Sequence, residues 1–299
     1  MIKFRDIELE DKADFDKVLA QIQPEISDFT FTNFYMWRES YGLTVSFDPD
    51  LECWFLQAKP KKWKPFFFTP LCDWSDFSKI QAAFEKLQTY AETEEIQLFF
   101  RRVPETAKDL LLKVDPDLHI REDRNTFDYV YQVEDLTNLS GRKYHAKRNH
   151  LNQFLRKYQW DYQVITPEIL KEILDLEETW FNIRLDQKPN ITAENIAMAK
   201  VMNQYFQLGV TGGVIRVDRK IQAISVGEKL NRNCAVIHIE KANTDFSGIY
   251  PAINQQFLLN HWQEMQLINR EEDMGLEGLR KAKLSYYPSL LATKYNLYK

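Results

Sequence analysis

The chain has 299 residues, 44% of them apolar and 14% aromatic, with a formal net charge of −5. That is enough apolar material for one large or two ordinary packed domains, and it excludes a disordered chain. Cys53, Cys72 and Cys234 stand far apart with no CxxC pair, so neither a disulfide framework nor a zinc site is expected; with no run near the roughly 18 apolar residues of a spanning helix, a soluble cytoplasmic protein is expected.

In chain order, the periodicity predicts a helix over 8–23, an aromatic segment over 29–37, and strands over 43–47, 53–57 and 65–69. A helix over 74–91, a strand over 96–101, a short helix over 106–113 and a strand over 127–133 follow. The run Pro65-Phe-Phe-Phe-Thr-Pro-Leu-Cys-Asp-Trp74 reads as core strand in preference to a membrane-docking surface. Helices are predicted over 142–158, 166–184 and 193–208, each bounded by Gly, Pro or a Thr/Asn cap. Three antiparallel strands over 213–217, 221–230 and 234–241 come next, joined by turns at 218–220 and 231–233. A helix over 250–264, a strand over 266–270, a helix starting near Gly275 and a last strand over 290–297 complete the chain.

Charge divides the chain unevenly. Residues 136–160 contain no acid and six bases, Arg142, Lys143, Lys147, Arg148, Arg156 and Lys157, and residues 278–299 contain no acid and five, Arg280, Lys281, Lys283, Lys294 and Lys299. One such run is as readily a solvated helix face as a site. Two in an acidic chain favour a local anion site, because the acidic background repels a polyanion elsewhere. The charge shift and a second set of elements put a domain boundary near 136, giving units 1–135 and 136–299.

Ile268-Asn-Arg-Glu-Glu-Asp-Met-Gly-Leu-Glu-Gly-Leu-Arg-Lys-Ala-Lys-Leu-Ser-Tyr-Tyr-Pro288 is the densest stretch of chemistry. Three acids lie before the start of the predicted helix and its bases toward the end, as the helix dipole favours. Leu276, Leu279, Ala282 and Tyr286 form one stripe, which leaves a polar face for a ligand. Nucleotide hydrolysis, dinucleotide redox, serine hydrolase and zincin chemistry lack their motifs here. His145 and His150, five apart, do not align as metal ligands on one helix face.

This stretch resembles the closing motif of the family of phosphatidylglycerol lysyltransferase C-terminal domains, in particular its short, soluble bacterial members. Leu139-Ser-Gly-Arg-Lys-Tyr-His-Ala-Lys-Arg-Asn-His-Leu-Asn-Gln-Phe154 resembles the helix that opens the family's second half, and Asn33-Phe-Tyr-Met-Trp37 is similar to its N-terminal signature. The resemblance implies a mixed α/β (α+β) fold of two GNAT-like acyltransferase units in tandem, and the element order of the second half agrees with one such unit. It implies aminoacyl-tRNA as donor, with no bound cofactor or metal. The acceptor it implies is a lipid headgroup at a membrane surface, an amine or a hydroxyl. Lys283 matches the family's basic residue before its proline, implying an oxyanion donor, and Lys294 matches a second basic position.

Asp273 and Glu240 are the candidate bases or ammonium-binding groups; a helix cap for Asp273 and a pair with Lys229 for Glu240 are the plain alternatives. Arg142, Lys143, Lys147, Arg148, Arg270, Arg280, Lys281 and Lys294 are candidate substrate-binding residues, and Arg270 is expected in an ion pair. Ser247, Gly248, Ile249 and Tyr250 occupy the phosphate loop of a GNAT unit, where one glycine stands instead of the two that coenzyme A loops usually carry. Two rivals stand beside aminoacyl transfer: a coenzyme A dependent N-acyltransferase on the same scaffold, and a non-catalytic binder of tRNA or anionic lipid headgroups.

Overall fold

The computed structural model describes the backbone of residues 2–182 and 191–299, and side chains outside 175–192. It resolves two compact units, 1–128 with 272–276 and 291–299, and 129–271 with 277–290. The division therefore falls at 128/129 instead of near 136, and two short C-terminal segments return to the first unit. The charge shift marks the approach to a basic helix, whereas the break between units falls at the start of the strand Asp128–Gln132.

The first unit is built on a sheet in the order Arg5–Asp6, Leu43–Asp48, Cys53–Ala58, Phe66–Phe67, Phe99–Val103, Tyr295–Tyr298, His119–Glu122. Its helices start where polar side chains satisfy free N–H groups. Thr30 Oγ1 accepts from the Asn33 amide at 3.0 Å ahead of the helix Phe31–Tyr41, and Asp76 accepts from Ser78 and Lys79 ahead of Phe77–Thr93. Phe31–Tyr41 stops at Gly42, whose φ of 55° and close approach to the Lys59 carbonyl leave no room for a Cβ. The core is aromatic, with Phe29 edge-on to Phe34, Phe68 and Trp74, and Phe66, Phe67, Phe68, Leu71 and Cys72 buried with them. Burying that many rings is the unit's main stabilisation.

The second sheet runs Leu290–Ala292, Asp128–Gln132, Leu267–Asn269, Cys234–Ala242, Lys220–Lys229, Thr211–Val217, Trp160–Val164. Thr211–Val217 and Lys220–Lys229 meet through Asp218 and Arg219, both at positive φ, the two-residue turn that matches strand twist. Next to Lys220–Lys229 the central strand Cys234–Ala242 is buried from Cys234 to Ile237 and again at Ile239 and Ala242, and the helix Ile249–His261 packs on both.

Three strands, Arg5–Asp6, His119–Glu122 and Trp160–Val164, were not foreseen. Each is an edge strand with exposed or half-exposed side chains and no apolar alternation to mark it. The strand expected over 290–297 is two, Leu290–Ala292 and Tyr295–Tyr298, in different sheets; the break falls beside Lys294, which is buried among carboxylates. The motif helix is Glu277–Leu284, preceded by a turn in which the Leu276 amide bonds the Asp273 carbonyl at 2.9 Å. The helix expected over 166–184 spans Pro167–Asn182, and residues 183 and 184 lie outside the described residues.

Candidate active site

In the second unit Cys234–Ala242 and Leu267–Asn269 run parallel and pair only from Cys234↔Leu267 to Val236↔Asn269. Beyond that pair the ladder ends, and side chains bridge the strands in place of backbone hydrogen bonds. Arg270 Nη2 lies 2.6 Å from Glu240 Oε1, and Asn254 donates to Glu240 Oε2 at 2.9 Å from the helix Ile249–His261. His238, two residues before Glu240 on the same face, is fully buried with Nδ1 2.8 Å from Glu271 and Nε2 2.9 Å from Glu228. Burial opposes its charge, but hydrogen bonds to Glu228 and Glu271 outweigh burial and raise its pKa to about 10, so the ring is an imidazolium clamp. A bulge at Val226/Gly227 sits on the neighbouring strand, where a Cβ on Gly227 would stand 2.2 Å from the Val236 carbonyl oxygen.

Arg270 is the centre of the polar group. Its guanidinium carbon lies 5.7 Å from the Tyr131 ring and 4.9 Å from the Tyr286 ring, and Lys147 Nζ lies 4.2 Å from the Tyr286 ring. Burial works against the guanidinium charge and Glu240 overcomes it, so the Arg270 pKa is raised. Burial pushes the Tyr286 hydroxyl up to about 12, and burial followed by the nearby Arg270 lowers the Lys147 ammonium. Arg270 Nη1 is buried with no hydrogen-bond partner among the described residues. A guanidinium donor without an acceptor in a buried place is costly unless a ligand oxygen fills it.

Lys147 also lines a cavity of about 220 Å³ with His150, Thr244, Ser247, Gly248 and Tyr250. The loop is held against the basic helix His145–Lys157 by Gly248, at φ 88°, where an added Cβ would stand 2.2 Å from the His150 carbonyl oxygen. Gly248→Ala is expected to lower stability by about 1–3 kcal/mol through strain and forced separation of loop and helix, read as a fall in denaturation midpoint. The Ile249 side chain is buried and its amide is given to the Phe246 carbonyl at 3.1 Å.

Lys283, the basic residue that the resemblance makes an oxyanion donor, is only 9% exposed. Its ammonium donates to the carbonyl oxygens of Arg270 at 2.5 Å and Glu271 at 3.0 Å, and its own carbonyl accepts from the Tyr131 hydroxyl at 2.9 Å. The helix Glu277–Leu284 packs that side of itself inward, so Lys283 fixes the turn carrying Arg270 and Glu271, the latter at φ 56°. Glu240 pairs with Arg270 and not with Lys229, because the register sets Glu240 opposite Ser225 and Lys229 opposite Ala235.

The other candidates are dispersed. Arg148 donates to the Leu139 and Gly141 carbonyls, Lys143 reaches Asp135 at 3.3 Å, Lys281 pairs with Glu277 at 2.7 Å, Arg142 is exposed and Arg280 is half-buried. Asp273 and Lys294 belong to the first unit. Asp273 is fully buried, accepts from the Gly275 amide at 2.8 Å and lies 3.6 Å from Arg124 Nη1. Lys294 lies 2.5 Å from Asp28, 2.7 Å from Asp128 and 3.5 Å from Glu272, while Arg102 bridges Asp28 at 2.7 Å and Glu272 at 2.6 Å.

Sequence reasoning missed His238, Asn254 and Tyr131. The available signal was polar residues at alternate positions, His238 and Glu240, in a strand that is otherwise apolar up to Lys241.

A family model described as phosphatidylglycerol lysyltransferase, C-terminal, matches residues 19–298. A conserved protein of unknown function from Bacteroides thetaiotaomicron is 32% identical over 100% of this chain and 99% of its own, with a TM-score of 0.90. L-PGS from Bacillus licheniformis is 14% identical over 95% of this chain and 91% of its own, with a TM-score of 0.66. A tandem GNAT protein from the clavulanic acid biosynthesis pathway is 9% identical over 100% of this chain and 98% of its own at a TM-score of 0.54. The fold is thus mixed α/β with two GNAT-like units in tandem. An uncharacterized protein of Mycoplasmoides gallisepticum is 27% identical over 183 residues, 60% of this chain and 58% of that relative's length.

Proposed function

The chain belongs to the phosphatidylglycerol lysyltransferase C-terminal family, and from that premise we propose that its second unit transfers an aminoacyl group from aminoacyl-tRNA to the amine or hydroxyl of an acceptor, lipids included. One observation carries the assignment to a place: the buried Arg270 Nη1, without a hydrogen-bond partner among the described residues, at the end of the ladder, on the guanidinium that pairs with Glu240 and shares the Tyr286 ring with Lys147. An aminoacyl ester is already activated, so the protein has only to place a nucleophile and stabilise the tetrahedral oxyanion.

In this reading Arg270 Nη1 donates to the oxyanion, the role that the family match first suggested for Lys283. Lys283 is a positioning residue that sets the Arg270–Glu271 turn. Glu240 takes the proton as the nucleophile attacks the ester carbon. As the new C–N or C–O bond forms and the ester C–O bond breaks, that proton passes to the leaving ribose oxygen. Lys147 and the loop Ser247–Tyr250 meet the phosphodiester that precedes the donor's terminal ribose.

Arg270→Lys keeps a cation for Glu240 and removes the planar fork. Single-turnover transfer is expected to fall by about 10²–10³, the usual effect of losing one oxyanion donor; an unchanged rate in a folded variant would remove Arg270 from the reaction. Just ahead of the basic helix Arg142 and Lys143 are exposed, as are Arg156 and Lys157 at its end. Arg142→Glu with Lys143→Glu is expected to weaken tRNA binding and flatten the slope of log K against log salt by about two units; an equal slope would make the helix a solvated face. The cavity at Ser247–Tyr250 also suits the phosphates of coenzyme A, so acetyl-coenzyme A belongs in the same assay as a competing donor.

A further inference from the structure

In the first unit the strands Cys53–Ala58 and Phe66–Phe67 are joined by Lys59-Pro-Lys-Lys-Trp-Lys64, four lysines and one indole in six residues with no acid. All four lysines are exposed, and none is in an ion pair among the described residues. Trp63 is 55% exposed. It is set in place from below: Arg101 lies 4.8 Å from the Trp63 ring and 5.1 Å from the Phe66 ring, Tyr41 stands 6.2 Å from Phe66, and Trp37 stands 6.3 Å from Tyr41. Trp37 and Tyr41, the aromatic residues next along this chain of ring contacts, are half-buried. The neighbouring residues Phe66, Phe67 and Phe68 are core and take no part.

We infer that this loop docks the first unit on an anionic phospholipid surface. An exposed indole held by a cation suits the headgroup level of a bilayer, where amphipathic rings concentrate. Unpaired lysines around it meet the negative surface potential, each contributing about a fivefold gain in partitioning. A planar charged surface engages all four on one tight turn at once, which a phosphodiester strand following its own path does not. In a chain of net charge −5 the attraction is local, so the loop sets which face meets the membrane. This inference stands apart from aminoacyl transfer, since transfer to a soluble acceptor does not need the loop.

The test is co-sedimentation of the full chain with phosphatidylcholine vesicles with and without phosphatidylglycerol, across a salt series. Wild type is expected to bind the anionic vesicles and release with salt. Joint replacement Lys59→Gln, Lys61→Gln, Lys62→Gln and Lys64→Gln is expected to cut partitioning by at least about a hundredfold, with the melting temperature and tRNA binding unchanged. Vesicles should blue-shift the emission of wild type, and Trp63→Phe should lose most of that shift. Equal binding to neutral and anionic vesicles, or full binding by the fourfold variant, would overturn the inference. So would a fourfold variant that loses tRNA and not vesicles, which would make the loop a nucleic-acid contact.

Discussion

Replacing Lys294 by methionine is expected to destabilise the first unit by about 3–5 kcal/mol, the cost of leaving buried carboxylates without their cation. Lys294 is 1% exposed and touches Asp28, Asp128 and Glu272, and Ser27 adds two hydrogen bonds to Asp128, at 2.6 and 3.0 Å. Burial opposes charge on Lys294, but Asp128 and Asp28 overcome it and raise its pKa. Burial would raise Asp28, and Arg102 with Lys294 instead lowers it. A lowered carboxylate contributes stability above its unfolded pKa that is lost as pH falls toward the folded value, so this cluster weakens in acid. The check is a denaturant midpoint for Lys294→Met against Lys294→Met with Asp128→Asn; partial recovery in the pair is expected, and equal loss in both would show that the ion pair contributes nothing.

His238→Gln is expected to remove stability from the second unit in a pH-dependent way. The folded pKa near 10 lies above the usual histidine value of 6.5. The contribution is therefore full below about 6.5 and disappears as pH rises through 10, up to about 4–5 kcal/mol at the acid end. Wild-type stability should fall between neutral and pH 10 more steeply than that of the variant. Parallel curves would mean that His238 is neutral in the fold.

The amphipathic elements were legible because their partners are local in pattern. Ile80, Ala83, Phe84, Leu87 and Ala91 make one buried stripe on Phe77–Thr93, and the meander from Thr211 to Ala242 shows strand composition and turn residues. Edge strands such as His119–Glu122 carry no such signal, since one paired side and exposed side chains impose no alternation. The return of Tyr295–Tyr298 to the first sheet was hidden for a different reason. Strand pairing at that distance leaves no mark in the local residues, and Lys294, whose burial among acids reveals it, looks from sequence like a surface base.

The site was legible in its chemistry and not in its assignments. Glu240, Arg270, Lys147 and Lys283 were singled out from charge, motif position and resemblance, and the fold gathers them around Tyr286 and the Arg270–Glu271 turn. What sequence did not carry was which cation keeps a free donor. Lys283 lies inward because Glu277–Leu284 turns its Lys283 and Tyr286 side to the fold and leaves Leu276 and Ala282 exposed, and its ammonium meets two carbonyls. Arg270 at the end of a short parallel ladder keeps Nη1 open, a consequence of strand splay that no local pattern encodes.

The most direct measurement of aminoacyl transfer is a single-turnover reaction of the full chain with a pool of radiolabelled aminoacyl-tRNAs and a lipid and peptide extract, run with wild type and with Glu240→Gln. Glu240→Gln keeps the hydrogen-bonding shape beside Arg270 and Asn254 and removes the proton acceptor, a loss of about 10²–10⁴ in rate. The expected result is label moving from tRNA to an acceptor with wild type and remaining on tRNA with the variant, at equal tRNA binding. Label that stays on tRNA with wild type across every acceptor fraction, or moves equally with both proteins, would contradict it.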